Sequence, residues 1–187
     1  MEIKTSIRDL RDRPFDLLVA LDRRGRAAAA APTEETATDR EWVGVAWRMA
    51  GETYLVAREE TREVLTLQAQ LTRVPGAKTW IKGLANLRGA LLPVIDLRQF
   101  LGSGATPITR NTRLLVVNHR DVPAGLLVDE VLGFRRFTDG EFSGNAPPTI
   151  VRCERFIAGA FRRGPDVWPV LSLRMLVENQ GFLDAAA

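Results

Sequence analysis

Residues 80–102, Trp-Ile-Lys-Gly-Leu-Ala-Asn-Leu-Arg-Gly-Ala-Leu-Leu-Pro-Val-Ile-Asp-Leu-Arg-Gln-Phe-Leu-Gly, constrain the fold of this chain more than any other stretch. Gly83 and Gly89 bracket a short piece in which apolar and polar residues alternate through Leu84, Asn86 and Arg88, and an apolar run interrupted by Pro93 follows. Alternation at period two is the pattern of a strand with one buried face, and a glycine-containing break between two such runs marks a tight turn. The expected order is strand, turn, strand, then a short helix ending near Gly102. Gly83 and Gly89 are expected to permit positive φ or close backbone approach, where a β-carbon would cost about 1 kcal/mol or more. The stretch holds no histidine, cysteine, serine or threonine, so it is built for shape and display rather than for nucleophilic or acid–base chemistry.

Period two recurs along the chain. Residues 42–48 and 53–57 flank a turn at Ala50, Gly51 and Glu52 and predict a hairpin. Further strands are expected at 62–67, 113–119, 124–131 continuing through 133–137, 156–161 and 166–171, with Ser172 capping a helix to Val177. Residues 77–82 are expected as a helical turn, Leu91, Val94 and Ile95 as core, and 181–187 as a frayed tail. Leu92-Pro93-Val94 and Trp168-Pro169-Val170 close two halves of similar element order. The chain therefore reads as mainly all-β, with two small barrels in tandem over 41–103 and 104–180. Before them, residues 1–40 read as an amphipathic helix beginning near Pro14, with Phe15, Leu18 and Leu21 on one face, and a linker rich in alanine, threonine and glutamate.

The chain is 45% hydrophobic and 26% charged over 187 residues, enough to bury a core and ordinary for a folded protein. Its net charge of +3 is the small difference between 26 basic and 23 acidic residues, and only Lys4, Lys78 and Lys82 are lysines. That balance fits arginines paired with carboxylates better than a nucleic-acid footprint. The pairs Arg23-Arg24, Arg135-Arg136 and Arg162-Arg163 nevertheless keep a basic barrel binding nucleic acid as a rival of another class. Cys153 is the only cysteine, which excludes an intrachain disulfide and fits a reducing, cytoplasmic setting. No stretch approaches the roughly 18 apolar residues of a membrane span.

Catalytic constellations are not legible. His119 is the only histidine, so neither a zinc site nor a proton relay can be assembled around it. Cys153 sits between Arg152 and the Glu154-Arg155 pair, a setting that could favour its thiolate, but it has no base nearby in sequence. Gly102-Ser103-Gly104 lacks the remainder of a phosphate loop, and Asp129-Glu130 would point to opposite faces of a strand. No enzyme, no cofactor and no metal site are expected.

Ile81-Lys82-Gly83, Asn86-Leu87-Arg88-Gly89 and Leu92-Pro93-Val94-Ile95-Asp96-Leu97 resemble the signature of the CheW family of chemosensory adaptors. Glu63 in Arg62-Glu63-Val64, Gly125 before Leu126-Leu127-Val128, and Gly159 after Phe156-Ile157-Ala158 extend the resemblance over about residues 41–179. The helix with Pro14-Phe15-Asp16-Leu17-Leu18, Gly76-Ala77-Lys78-Thr79-Trp80, and the terminal Gln180-Gly181-Phe182-Leu183-Asp184 are most similar to members serving type IV pili and twitching motility; flagellar chemotaxis is the alternative. The resemblance implies tandem SH3-like five-stranded barrels with short helices and no catalysis. It implies a cytoplasmic scaffold recruited to membrane-bound receptor arrays, docking to a methyl-accepting chemoreceptor tip and to the regulatory domain of a CheA-type hybrid histidine kinase, with no nucleic acid and no membrane insertion. The partner-binding residues it implies are Glu63, Val64, Gly83, Asn86, Arg88, Gly89, Gly125 and Gly159. It places the Glu63 carboxylate beside Arg88, as a pair that orients a displayed strand edge. Between Glu63 and Thr72 the chain is one residue longer than common members of the family.

Overall fold

The computed structural model describes residues 41–67, 71–145 and 147–185. The expected N-terminal helix and linker, and part of the one-residue expansion after Glu63, lie outside the described residues.

Eleven strands and three short α-helices are present among the described residues: β1 Glu41–Met49, β2 Glu52–Ala57, β3 Thr61–Thr66, β4 Ile81–Leu87, β5 Ala90–Asp96, α1 Leu97–Phe100, β6 Arg113–Val117, β7 Gly125–Val128, β8 Glu130–Thr138, β9 Phe142–Ser143, β10 Ile157–Arg163, β11 Asp166–Leu171, α2 Leu173–Val177 and α3 Gln180–Leu183. They form a five-stranded sheet ordered β3-β6-β7-β5-β4 and a six-stranded sheet ordered β8-β1-β2-β11-β10-β9. The protein is mainly β, as the alternation predicts.

The two sheets do not divide the chain at residue 103. Read strand by strand, β8, β1, β2, β11 and β10 take the positions that β3, β6, β7, β5 and β4 take in the other sheet, with the same antiparallel and parallel pairings. The first barrel is therefore residues 61–128, and the second is completed by the hairpin at the start of the described chain. The tandem boundaries expected from sequence follow element order, which cannot show that β1–β2 pairs with β8 on one side and, in parallel, with β11 on the other. The correspondence of the two proline-containing strands does hold: Leu84 pairs with Pro93 and Ala160 with Pro169, each one step beyond an irregularity at Gly83 or Gly159.

Burial explains the interleaving. In β6, Leu114 and Val116 face the interior of the first barrel while Leu115 and Val117 face the larger core between the barrels. In β1 and β2, Ala46 and Leu55 fill the second barrel and Val45, Trp47, Tyr54 and Val56 enter that same shared core. These strands are apolar on both faces because both faces are covered, so they read as near-continuous apolar runs. The chain crosses from one sheet to the other at Asp129, the one residue between β7 and β8, where the predicted single strand over 124–131 is broken. Asp129 Oδ2 accepts the Ala50 N–H at 2.8 Å and its own N–H donates to the Arg48 carbonyl at 3.1 Å, which fixes the crossing against the β1–β2 turn.

Three local expectations are corrected. Residues 77–82 make no helix: one turn, closed by the Ile81 N–H to the Lys78 carbonyl at 2.9 Å, leads into β4. Residues 180–183 are α3 rather than a frayed tail, because Phe182 is buried against Trp80 and Phe100 with ring centroids 5.9 and 5.3 Å away. Leu91 is not core: it is 66% exposed, whereas Val94 and Ile95 are buried. It pairs with the exposed Asn86 on the outward face of the β4–β5 hairpin.

Candidate functional site: the mouth of the first barrel

The hairpin β4–β5 turns through two residues, with Leu87 paired to Ala90 across Arg88 and Gly89. Both central residues have positive φ, +52° at Arg88 and +87° at Gly89, which is the type I′ turn whose twist matches that of the flanking strands. Glycine adopts this conformation freely, but arginine does so at about 1–2 kcal/mol. Asn86 stabilises the turn, its Oδ1 accepting the Gly89 N–H at 2.9 Å. Asn86 and Gly89 thus shape the loop that Arg88 stands on.

Arg88 Nη2 donates to Glu63 Oε2 at 3.0 Å. Glu63 lies on β3, at the opposite edge of the sheet from β4, so the contact joins one edge strand of the barrel to the turn that ends the other. Its side chain is 18% exposed against 76% for Arg88. The register of β3 on β6 shifts between Thr61 and Glu63, and an irregularity of this kind re-aims the side chains that follow it. An exposed pair of this type is worth about 0–1 kcal/mol to folding. Its larger effect is to hold a guanidinium at one place on the barrel rim.

Beneath the pair is a recess of about 210 Å³, floored by Leu87, Leu92 and Val116 and edged by Leu91 and Pro123. Leu91 adds exposed apolar surface at this rim, and Val64, 38% exposed beside Glu63 on β3, adds it on the other face of that strand. Large apolar side chains beside a fixed charge on a rigid sheet have the composition of a protein-docking patch.

The structure therefore brings Glu63, Asn86, Arg88 and Gly89 together and leaves Val64 exposed on the same strand as Glu63. It does not bring Gly83, Gly125 and Gly159 to the surface. All three are buried. A β-carbon on Gly83 would stand 2.5 Å from the Thr72 carbonyl oxygen, and one on Gly159 would stand 2.5 Å from that of Ser143 and strike the Phe142 ring. A β-carbon on Gly125 would come within 2.9 Å of the Leu114 side chain. These glycines let backbones and side chains approach inside the barrels; direct contact with a partner is not open to them.

Two functional contributions escaped the sequence. The exposure of Leu91 was readable in its position opposite Asn86, had the turn been fixed at Arg88-Gly89. Asp96 is fully buried: its carboxylate accepts the Thr106 hydroxyl at 2.7 Å, the Thr106 N–H at 3.0 Å and the Gln99 N–H at 3.2 Å, and lies 3.5 Å from Lys82 Nζ. It caps α1 and ties the following loop back to the barrel. An acid ending an apolar run was the available signal.

Groups with catalytic potential are occupied structurally. The Cys153 thiol is fully buried, and burial pushes its pKa up, so it is an inert thiol despite its arginine neighbours. His119 Nδ1 accepts the Asp121 and Val122 N–H groups at 3.3 and 3.2 Å, so the imidazole closes a turn. Burial, then the Glu52 carboxylate 2.6 Å away, raises the Tyr54 hydroxyl pKa far above its ordinary value. Arg163 donates to both Glu141 oxygens, at 2.6 and 2.9 Å, and to the Arg136 carbonyl at 2.8 Å, and its guanidinium lies 4.5 Å over the Phe137 ring. Arg136 in turn grips Glu41 through both carboxylate oxygens. Two arginines of the pairs that motivated a nucleic-acid reading are thus paired with carboxylates. No helix among the described residues is long and apolar enough to cross a membrane.

Comparison with known proteins agrees with this architecture. A family model described as CheW-like domain matches residues 44–181. The chain is 43% identical over 173 residues to Protein PilI of Pseudomonas aeruginosa, covering 92% of this chain and 96% of that protein. It is 36% identical over 86 residues to the chemotaxis protein CheW of Bacillus subtilis, covering 46% of this chain and 54% of that one. Among solved structures, the scaffolding protein TtCheW from Thermoanaerobacter tengcongensis superposes with a TM-score of 0.66 at 26% identity, over 76% of this chain and 96% of that one.

Proposed function

The chain belongs to the CheW-like family, whose members are non-enzymatic chemosensory adaptors, and we propose that it couples a methyl-accepting receptor to a CheA-type hybrid histidine kinase in a system governing type IV pili and twitching motility. The observation that carries this reading is the Glu63–Arg88 pair, which joins β3 to the β4–β5 turn beside exposed Leu91, with Val64 exposed on the same strand as Glu63. The likeness to PilI over nearly the full length of both chains, against partial coverage by the chemotaxis protein CheW of Bacillus subtilis, favours the pilus assignment over flagellar chemotaxis. An adaptor of this kind contributes no chemistry. It raises the effective concentration of kinase at receptor and fixes their relative orientation, which requires a rigid body with rigidly placed patches. Glu63, Val64, Asn86, Arg88 and Gly89 form or shape the patch in this reading, while Gly83, Gly125 and Gly159 serve it through barrel geometry.

Reversing one charge tests the assignment. Arg88→Glu places two carboxylates at the barrel rim, and with an exposed pair worth about 0–1 kcal/mol its effect on the melting temperature is small. Receptor captured in a pulldown with the tagged full chain falls about tenfold or more, in line with interfacial charge pairs. The exchange Glu63→Arg with Arg88→Glu restores part of the loss. Parallel loss of capture and melting temperature in Arg88→Glu would show that the pair only supports the fold.

A further inference from the structure

The mouth of the first barrel opposite the Glu63–Arg88 rim opens between the end of β3, the start of β4 and the loop that leads from α1 to β6. A cleft of about 590 Å³ lies there. Its floor is Leu127 and its apolar walls are Leu67, Leu71 and Ile108, the last 59% exposed. Arg73, Lys82 and Arg110 stand around these walls, and none of the described residues lining the cleft is a carboxylate. Lys82 Nζ approaches the fully buried Asp96 at 3.5 Å and donates to Gln99 Oε1 at 3.1 Å. Among the described residues, Arg73 and Arg110 make no ion pair.

The wall that carries Ile108 and Arg110 is built before anything binds. Asp96 holds Thr106 through its N–H and its hydroxyl, Thr112 Oγ1 donates to the Pro107 carbonyl at 3.2 Å, and the Thr109 N–H donates to Thr112 Oγ1 at 2.8 Å. Thr112 is itself buried. A preformed cleft spares an incoming chain the cost of ordering its site. Open apolar surface inside a ring of like charge selects for an apolar group flanked by the opposite charge.

We propose that this mouth docks an acidic protein segment, in which one or two large apolar side chains sit between carboxylates. The apolar side chains pack on Leu67, Leu71 and Ile108, and the carboxylates meet Arg73 and Arg110, whose guanidinium forks donate to them in bidentate geometry. This surface is distinct from the Glu63–Arg88 patch and gives the first barrel two docking ends.

The test is fluorescence anisotropy of the full chain with a labelled peptide alternating glutamate with leucine and phenylalanine, and with the same peptide carrying lysine for glutamate. The glutamate peptide is expected to bind and the lysine peptide not to. Arg73→Glu and Arg110→Glu, both at exposed positions, each weaken binding about tenfold and flatten its salt dependence, as removal of interfacial charge does. Ile108→Ser weakens binding and leaves the salt dependence unchanged. Melting temperatures of all three variants stay at that of the parent chain. Absence of binding, equal binding of both peptides, or indifference to the charge reversals would overturn the proposal. Displacement by dodecanoate with the same sensitivity to reversal would overturn it too, assigning the mouth to a small anionic amphiphile. The assay contains neither receptor nor kinase, so its failure and that of the adaptor assignment are separate results.

Discussion

Alanine at Gly83 places a β-carbon 2.5 Å from the Thr72 carbonyl oxygen and 3.2 Å from Leu71 Cβ, at a position whose φ is +141°. The first contact is with backbone, which cannot rotate away. Thr72 and Leu84 exchange two backbone hydrogen bonds, of 3.0 and 2.8 Å, so moving Thr72 aside stretches both. The unfavourable φ costs about 1–3 kcal/mol, and each lost bond about 0.5–1.5 kcal/mol. Gly83→Ala should therefore destabilise the chain by roughly 2–6 kcal/mol, a large part of the roughly 5–15 kcal/mol that holds a domain folded. Gly89 is the control. Its φ is also positive, at +87°, but nothing lies within 4 Å of the added carbon, so Gly89→Ala costs about 1 kcal/mol. Urea unfolding of both variants, with the denaturant slope unchanged, measures the difference. Near-equal midpoints for the two would refute the argument that close approach, rather than backbone freedom, fixes glycine at position 83. The distinction bears on function: lost partner binding in Gly83→Ala reports on folding, whereas in Gly89→Ala it reports on the loop that presents Arg88.

Two further perturbations follow from contacts elsewhere. Hydrogen bonds from Arg163 and from the Thr138 backbone hold the Glu141 carboxyl down to about 2. A depressed folded-state pKa contributes stability that is present above the unfolded value of about 4.3 and lost as pH falls through the folded one. Acid unfolding between about pH 4.5 and 2 should accordingly be less steep in Glu141→Gln than in the parent chain, and an unchanged slope by circular dichroism would show the clamp carries no linkage. Phe182→Ala removes a buried ring from the cluster with Trp80 and Phe100 and should cost about 3–5 kcal/mol by calorimetry; a cost under 1 kcal/mol would mean that α3 is not docked.

What was legible in the sequence was local. The β4–β5 hairpin, the strand character of the apolar runs and the cap at Ser172, whose hydroxyl accepts the Met175 N–H at 3.3 Å, all follow from period and turn chemistry within a dozen residues. The contact between Glu63 and Arg88 spans 25 residues and came only through the resemblance to a known family. Leu91 was misplaced for a physical reason: in a continuous apolar run with no polar residue alternating, period two carries no information about which side is outward. Phe182 was misread because a short polar-flanked segment gives no sign of burial until Trp80 and Phe100, more than eighty positions earlier, are known to stand over it. The eight implied site residues divided along the same line. Those on the hairpin and β3 reach the surface together, while the three buried glycines act through contacts with Thr72, Leu114 and Phe142 that sequence spacing does not encode.

The permuted strand order bears directly on how such an adaptor can work. Were the barrels strung in tandem, each would be complete by itself and their mutual angle would depend on a linker. Here the hairpin β1–β2 is required to complete the second barrel, and only Asp129 separates β7 of the first barrel from β8 of the second. The corresponding hairpins, β6–β7 and β1–β2, both send side chains into the shared core: Leu115, Val117, Leu126 and Val128 from one, Val45, Trp47, Tyr54 and Val56 from the other. Rotation of one barrel against the other would expose these buried side chains, each worth about 1.5–3 kcal/mol when removed from water. A hinge at Asp129 is opposed by the same core and by the carboxylate bonded to the Ala50 N–H. The Glu63–Arg88 patch is thereby held at a fixed distance and angle from the surface of the second barrel. Fixed geometry is the property a scaffold needs, because a partner bound at one patch raises the effective concentration at another only if the two sites can be spanned together.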